Sequence, residues 1–155
     1  KYMLLKTIEE LADLFQEILV KKGITKDISY VTKVVSQIKE RATFVNEFWD
    51  LSDYFFETPT VYDEKAVSKN WKEDTSELMK ELISVIETVS EFTSINLENT
   101  VKEWITSKEI GFGKVMQPFR LSLVGAMKGP HLFDIAEMIG KQETIDRIET
   151  AIGKF

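Results

Sequence analysis

The chain has 155 residues, 43% of them hydrophobic and 11% aromatic, enough to bury a core, which excludes a disordered tail. It contains no cysteine, so disulfide scaffolds, thiolate metal sites and cysteine nucleophiles are excluded, and a reducing cytoplasm suits it. The net charge of −6 argues against indiscriminate binding to a polyanion, whose affinity comes from neutralised phosphates.

Helical signals then follow one another along the chain. Thr7-Ile8-Glu9-Glu10 fits a capping box, and Leu11, Leu14, Phe15, Ile18 and Leu19 recur at helical spacing until Gly23. Asp27 opens a second helix striped by Val31, Val34, Val35 and Ile38, and the pattern continues with a bend through Phe44, Phe48 and Leu51 towards Phe55. Thr58-Pro59-Thr60 breaks it. Asp63 caps a short helix with Ala66, Val67 and Trp71, and Asp74-Thr75-Ser76 caps a longer one. Asn96 opens the next. Residues 110–113 read as a loop, with Pro118 in the first turn of the helix after it. Lys128-Gly129-Pro130 is a second loop, before a helix ending at Gly140, and Ile145, Ile148 and Ile152 stripe a last helix.

No segment alternates long enough to be a strand, and no fixed repeat is present. The expected class is all-α, two small helical subdomains in series, residues 1–72 and 73–155, with the seam near residues 72–75. No run of about 18 apolar residues offers a membrane helix, and the N-terminus lacks a signal-peptide layout. Residue 1 is Lys rather than Met, which reads as a piece of a longer protein.

Charge is unevenly placed. From residue 108 to 131 stand Lys108, Lys114, Arg120 and Lys128 with Glu109 the sole acid, a window of +3, so the rest carries −9. A basic island on an acidic body places RNA at one spot and repels it elsewhere; chance clustering gives the same pattern.

Catalytic constellations are missing. His131 is the only histidine and sits beside a Gly-Pro turn, where a structural role is the plainer reading. Ser52, Ser84 and Ser122 lack a histidine partner or a Gly-x-Ser-x-Gly turn. Asp50, Asp53, Glu57, Asp63 and Glu64 read as caps and solvated faces. Gly111-Phe112-Gly113-Lys114 fails as a phosphate loop, which needs Gly, four residues, Gly-Lys and Ser or Thr.

The segment from Gly113 to Gly125, with Gln117-Pro118-Phe119-Arg120-Leu121-Ser122-Leu123 at its centre, resembles the C-terminal region of bacterial glutamyl-tRNA synthetases. So do Gly129-Pro130-His131-Leu132-Phe133-Asp134, Ile139-Gly140-Lys141 and Ile145-Asp146-Arg147-Ile148. Upstream, Lys39-Glu40-Arg41-Ala42, Glu47-Phe48-Trp49, Tyr54-Phe55-Phe56, Tyr62-Asp63-Glu64-Lys65-Ala66 and Trp71-Lys72 follow in the order of those enzymes. The resemblance implies a class I synthetase, cytoplasmic and monomeric, that joins glutamate to its tRNA with ATP and magnesium. Its catalytic signatures, of the His-Ile-Gly-His and Lys-Met-Ser-Lys-Ser types, do not occur here. The piece is therefore expected to bind the anticodon of glutamate tRNA, hold no cofactor itself and not aminoacylate alone.

Carried over position by position, the resemblance implies that Arg41 reads the third anticodon base and Arg120 the first. Gly129, Pro130 and Leu132 would pack around the middle base, and Gly129 departs from the hydroxyl residue some members carry. The chemistry suits unpaired loop bases, whose edges an arginine fork can bond. Lys114 and Lys128 are candidate phosphate contacts. Plainer readings stand beside these: Arg41 as ion-pair partner of Glu40 or Glu47, Arg120 paired with a distant acid, Gly129-Pro130 as a helix-entry turn. The alternative function is a helical protein-interaction module without an RNA role, using exposed aromatics such as Phe112 or Phe155.

Overall fold

The computed structural model describes residues 6–155; residues 1–5, the start of the first expected subdomain, lie outside the described residues. Among those described there are nine α-helices, three 3-10 turns and no strand, an all-α protein. The chain forms two compact units, Lys1–Glu57 and Thr58–Phe155.

In the first unit α1 (Ile8–Lys21) pairs with α2 (Ile28–Ile38). Thr7 accepts from the Glu10 amide at 3.1 Å while Glu10 Oε1 accepts from the Thr7 amide at 2.9 Å, so both orphan donors at the helix start are satisfied. Gly23 stops α1 with φ +82°, a left-handed geometry that favours glycine. Leu11, Phe15, Leu19, Val31, Val34, Val35 and Ile38 form the core. After α2 the expected continuous helix breaks up. A 3-10 turn at Lys39–Arg41, another at Val45–Glu47, α3 (Phe48–Ser52) and a third turn at Asp53–Phe55 fold the chain back. This places Phe48 and Phe56 edge-on to Phe15, with ring centroids 5.5 and 5.9 Å away. The aromatic contacts override a periodicity that alone would extend the helix.

The second unit holds α4 (Glu64–Asn70), α5 (Thr75–Glu87), α6 (Ser94–Lys108), α7 (Phe112–Val124), α8 (Leu132–Ile139) and α9 (Lys141–Lys154). Helix α7 lies at its centre, packed on α4, α5, α6, α8 and α9. The unit begins well before the seam expected at residues 72–75. The Asp63 amide donates to the Gly125 carbonyl at 2.8 Å, and the Trp71 ring lies 5.3 Å from that of Phe155, so α4 belongs here. Residues 72–75 form a tight turn, the Lys72 amide bonding Thr75 Oγ1 at 2.8 Å. Helix α6 starts earlier than Asn96 suggests, capped by Thr93, which accepts from the Asn96 amide.

Pro118 does not stand in the first turn of α7, where the sequence suggests it. Pro118 lies inside the helix, because α7 already begins at Phe112, with Gly113 in its first turn. A mid-helix proline removes one backbone donor and is tolerated where packing holds the helix together. Pro118, Phe119 and Leu121 to Val124 are all buried.

At the C-terminal end of α7, the buried Arg147 of α9 donates from Nη1 to the Leu123 carbonyl at 2.8 Å and from Nε to Glu143 Oε2 at 2.8 Å. A helix leaves its last carbonyls without intrahelical donors, and a cation suits that end of its dipole. The same Glu143 oxygen accepts from the Thr58 hydroxyl at 2.9 Å, tying the start of the unit to α9.

Candidate nucleic-acid interface

Gly125 ends α7 with φ +84°, and the chain runs through residues 126–131 before α8. That segment returns past the helix it has left. Arg120 Nη1 donates to the Lys128 carbonyl at 2.8 Å and to the Pro130 carbonyl at 3.0 Å. Gly129, between these two carbonyls, has φ +104°, a conformation L side chains rarely adopt. A hydroxyl residue there would carry a backbone cost that glycine avoids. The structure therefore brings Arg120 together with Gly129 and Pro130, and one guanidinium nitrogen already holds their turn.

The turn's own side chains divide between core and solvent. Pro130 is buried and Leu132 is 3% exposed, so both are turned into the second unit. Lys128 and His131 face outward, with Gly129 half-buried. His131 Nε2 lies 3.3 Å from Glu98 Oε1, and its ring meets Phe133 edge-on at 5.5 Å. Glu98 also pairs with Lys102 at 2.6 Å, and the Lys102 ammonium, with a smaller share from His131, holds its carboxyl below the usual carboxylate range.

The basic window of the sequence is partly neutralised in place. Lys108 pairs with Glu81 at 2.7 Å and Lys114 with Asp74 at 2.6 Å. The Lys114 hydrogen bond holds the Asp74 carboxyl below its ordinary value. Of the two candidate phosphate contacts, Lys114 is thus committed to an acid, whereas Lys128 makes no ion pair among the described residues.

Arg41 ends the 3-10 turn Lys39–Arg41 in the first unit. It is exposed, and among the described residues its guanidinium has no hydrogen bond or ion pair. Glu47, one of the acids that could have held it, is engaged elsewhere. Its Oε1 accepts from the amides of Thr43 and Phe44, each at 2.7 Å. The ion-pair reading of Arg41 is therefore not what this fold uses.

The overall match decides the family. The sequence matches the anticodon-binding domain family over residues 10–152, nearly the whole chain. This chain belongs to that family. It is 64% identical over 152 residues to the glutamate–tRNA ligase of Flavobacterium psychrophilum and 42% identical to that of Bacteroides thetaiotaomicron. In each case the match takes in 98% of this chain and 30% of the relative, so the chain spans about 30% of the length of these relatives. Among solved structures, a glutamate–tRNA ligase from Elizabethkingia meningosepticum in complex with its amino acid superposes with a TM-score of 0.92 at 38% identity. The glutamate–tRNA synthetase of Elizabethkingia anophelis superposes with 0.86 at 37% identity. Both superpositions cover 98% of this chain and 30% of the other.

Within this anticodon-binding domain the described residues contain no group of three His, Asp or Glu that could hold a metal ion. Gly111-Phe112-Gly113-Lys114 runs into α7 with no strand before it. No described helix is long and apolar enough to cross a membrane. Two outward-facing residues of the domain, Phe44 and His131, escape a sequence reading. The mid-pattern position of Phe44 mimics a core site, and His131 reads as mere turn structure.

Proposed function

We propose that this anticodon-binding domain reads the anticodon of glutamate tRNA as the C-terminal part of a glutamate–tRNA ligase. The observation that carries the reading is the family match across residues 10–152. The whole enzyme would join glutamate to its tRNA with ATP and magnesium, in the cytoplasm and as a monomer, and those steps belong to residues outside this chain.

Within the domain, Arg41 reads the third anticodon base. Its uncommitted donors on a short turn support this, since reading a base edge requires hydrogen-bonding groups not already spent. Arg120 contributes to the first base while holding the turn at residues 128–130, and the backbone of Gly129 and Pro130 lies against the middle base. The burial of Leu132 puts its share on the side of shaping that turn. Lys128 meets a phosphate. The protein-interaction alternative draws no support from Phe155, whose ring is engaged by Tyr62 at 5.2 Å and Trp71 at 5.3 Å.

The test is binding of glutamate tRNA and glutamine tRNA to the 155-residue chain at two salt concentrations. Tighter, salt-sensitive binding of glutamate tRNA is expected. Equal affinities for the two, or none for either, would sink the proposal.

A further inference from the structure

We infer that Phe44 is a stacking platform for one unpaired base of the anticodon loop, set beside the edge contact of Arg41; the inference rests on the anticodon reading above. Phe44 is 63% exposed. Among the described residues it makes no ring contact, whereas Phe15, Phe48, Tyr54 and Phe55 of the same unit are buried. A lone exposed apolar residue is ordinary in itself. What sets Phe44 apart is how its backbone is held and what stands next to it.

The ring projects from a braced segment. Ala42 and Phe44 are both extended, with φ −107°, ψ 147° and φ −130°, ψ 151°. This short stretch is clamped between two 3-10 turns. The Ala42 amide donates back to the Lys39 carbonyl, and the Glu47 amide donates to the Phe44 carbonyl at 3.0 Å. The Glu47 carboxylate takes the amides of Thr43 and Phe44 at 2.7 Å each. Backbone groups that solvent would otherwise have to satisfy are thus closed off around an outward phenyl ring. A backbone braced before binding loses little freedom on meeting its ligand.

Arg41 lies three residues away, at most about 11 Å along the chain. The two side chains offer complementary chemistry to a splayed nucleotide. An arginine bonds base edges and so discriminates; an aromatic ring meets the face that every base possesses and so grips without choosing. Neither the folding of the unit nor any ion pair accounts for both residues standing exposed on one braced loop.

The experiment measures affinity of the 155-residue chain for glutamate tRNA, and for its anticodon stem-loop with each anticodon position made abasic in turn. Phe44→Ala should weaken binding about tenfold, within the range found for losing one stacked base. Phe44→Trp should keep native affinity, and Phe44→Leu, which retains apolar bulk without the ring, should behave like Phe44→Ala. With one of the three abasic stem-loops the Phe44→Ala loss should vanish. Circular dichroism should be unchanged, since the ring is not in the core. Native affinity in Phe44→Leu, or a Phe44→Ala loss that persists with all three abasic stem-loops, would overturn stacking while leaving the anticodon reading intact. Failure of the unsubstituted chain to bind tRNA would overturn both.

Discussion

At the scale of single residues, the cations of this domain differ in what they have left to offer. Among the described residues Arg41 has its fork of donors uncommitted, whereas Arg120 donates to two carbonyls. Arg41→Ala should therefore cost about 1–3 kcal/mol of discrimination at the third anticodon base, seen as unequal losses for glutamate and glutamine tRNA. Lys128→Ala should weaken every tRNA alike and lower the slope of log affinity against log salt by about 1. Lys114→Ala should change that slope less, because its ammonium already neutralises Asp74. The Asp74 carboxyl titrates below its ordinary value in the folded domain. A depressed carboxylate stabilises the fold above its unfolded pKa, and that contribution is lost as pH falls through the folded value. The window therefore lies in acid, below the ordinary carboxylate range. Titration of Asp74 by carboxyl NMR should show the low midpoint, and Lys114→Ala should return it to the ordinary one.

At the scale of elements, the turn at residues 126–131 depends on how α7 ends. A Cβ on Gly125 would lie 2.7 Å from the Val61 carbonyl oxygen and 3.0 Å from Pro59 Cβ, on a backbone already at φ +84°. Gly125→Ala should cost more than about 1 kcal/mol of stability, because both conformation and space oppose it. Denaturant midpoints would measure it, and an unchanged midpoint would contradict the close approach. The helix stops and starts here were open to inspection in the sequence. The Thr7 box, Gly23, Asp63 and Gly140 act locally, through bonds and angles within a few residues. The starts of α6 and α7 were not: Thr93, three residues before Asn96, caps α6, and α7 begins at Phe112 behind Gly111 with no side-chain cap to mark it. Pro118 is buried inside α7.

At the scale of the whole molecule, the all-α class and the family were legible in ordered motifs spread from Lys39 to Ile148. The division of the chain was not. From the sequence, residues 58–72 fall in the first subdomain, whereas in the fold they join the second unit through contacts with Gly125 and Phe155. Arg147 looks like a surface residue of an amphipathic helix, yet it is 2% exposed and holds the end of α7. Arg147→Met should destabilise the second unit by about 1–3 kcal/mol, the cost of leaving a buried acceptor unpaired. Glu143, being partly exposed, can recover water. Hydrogen exchange should speed in α7 and α9; unaltered exchange there would contradict a structural role for Arg147.

The sequence by itself determined the helical class, most helix boundaries, the family and the positions of the candidate readers. These rest on short-range chemistry and on the order of motifs along the chain. Only the tertiary structure decided which cations remain uncommitted, which parts of the Gly129-Pro130 turn face outward, and that Phe44 stands exposed on a braced loop. Pairing and burial depend on residues far apart in sequence. Glu81 meets Lys108, Asp74 meets Lys114 and Leu123 meets Arg147 only once the helices pack.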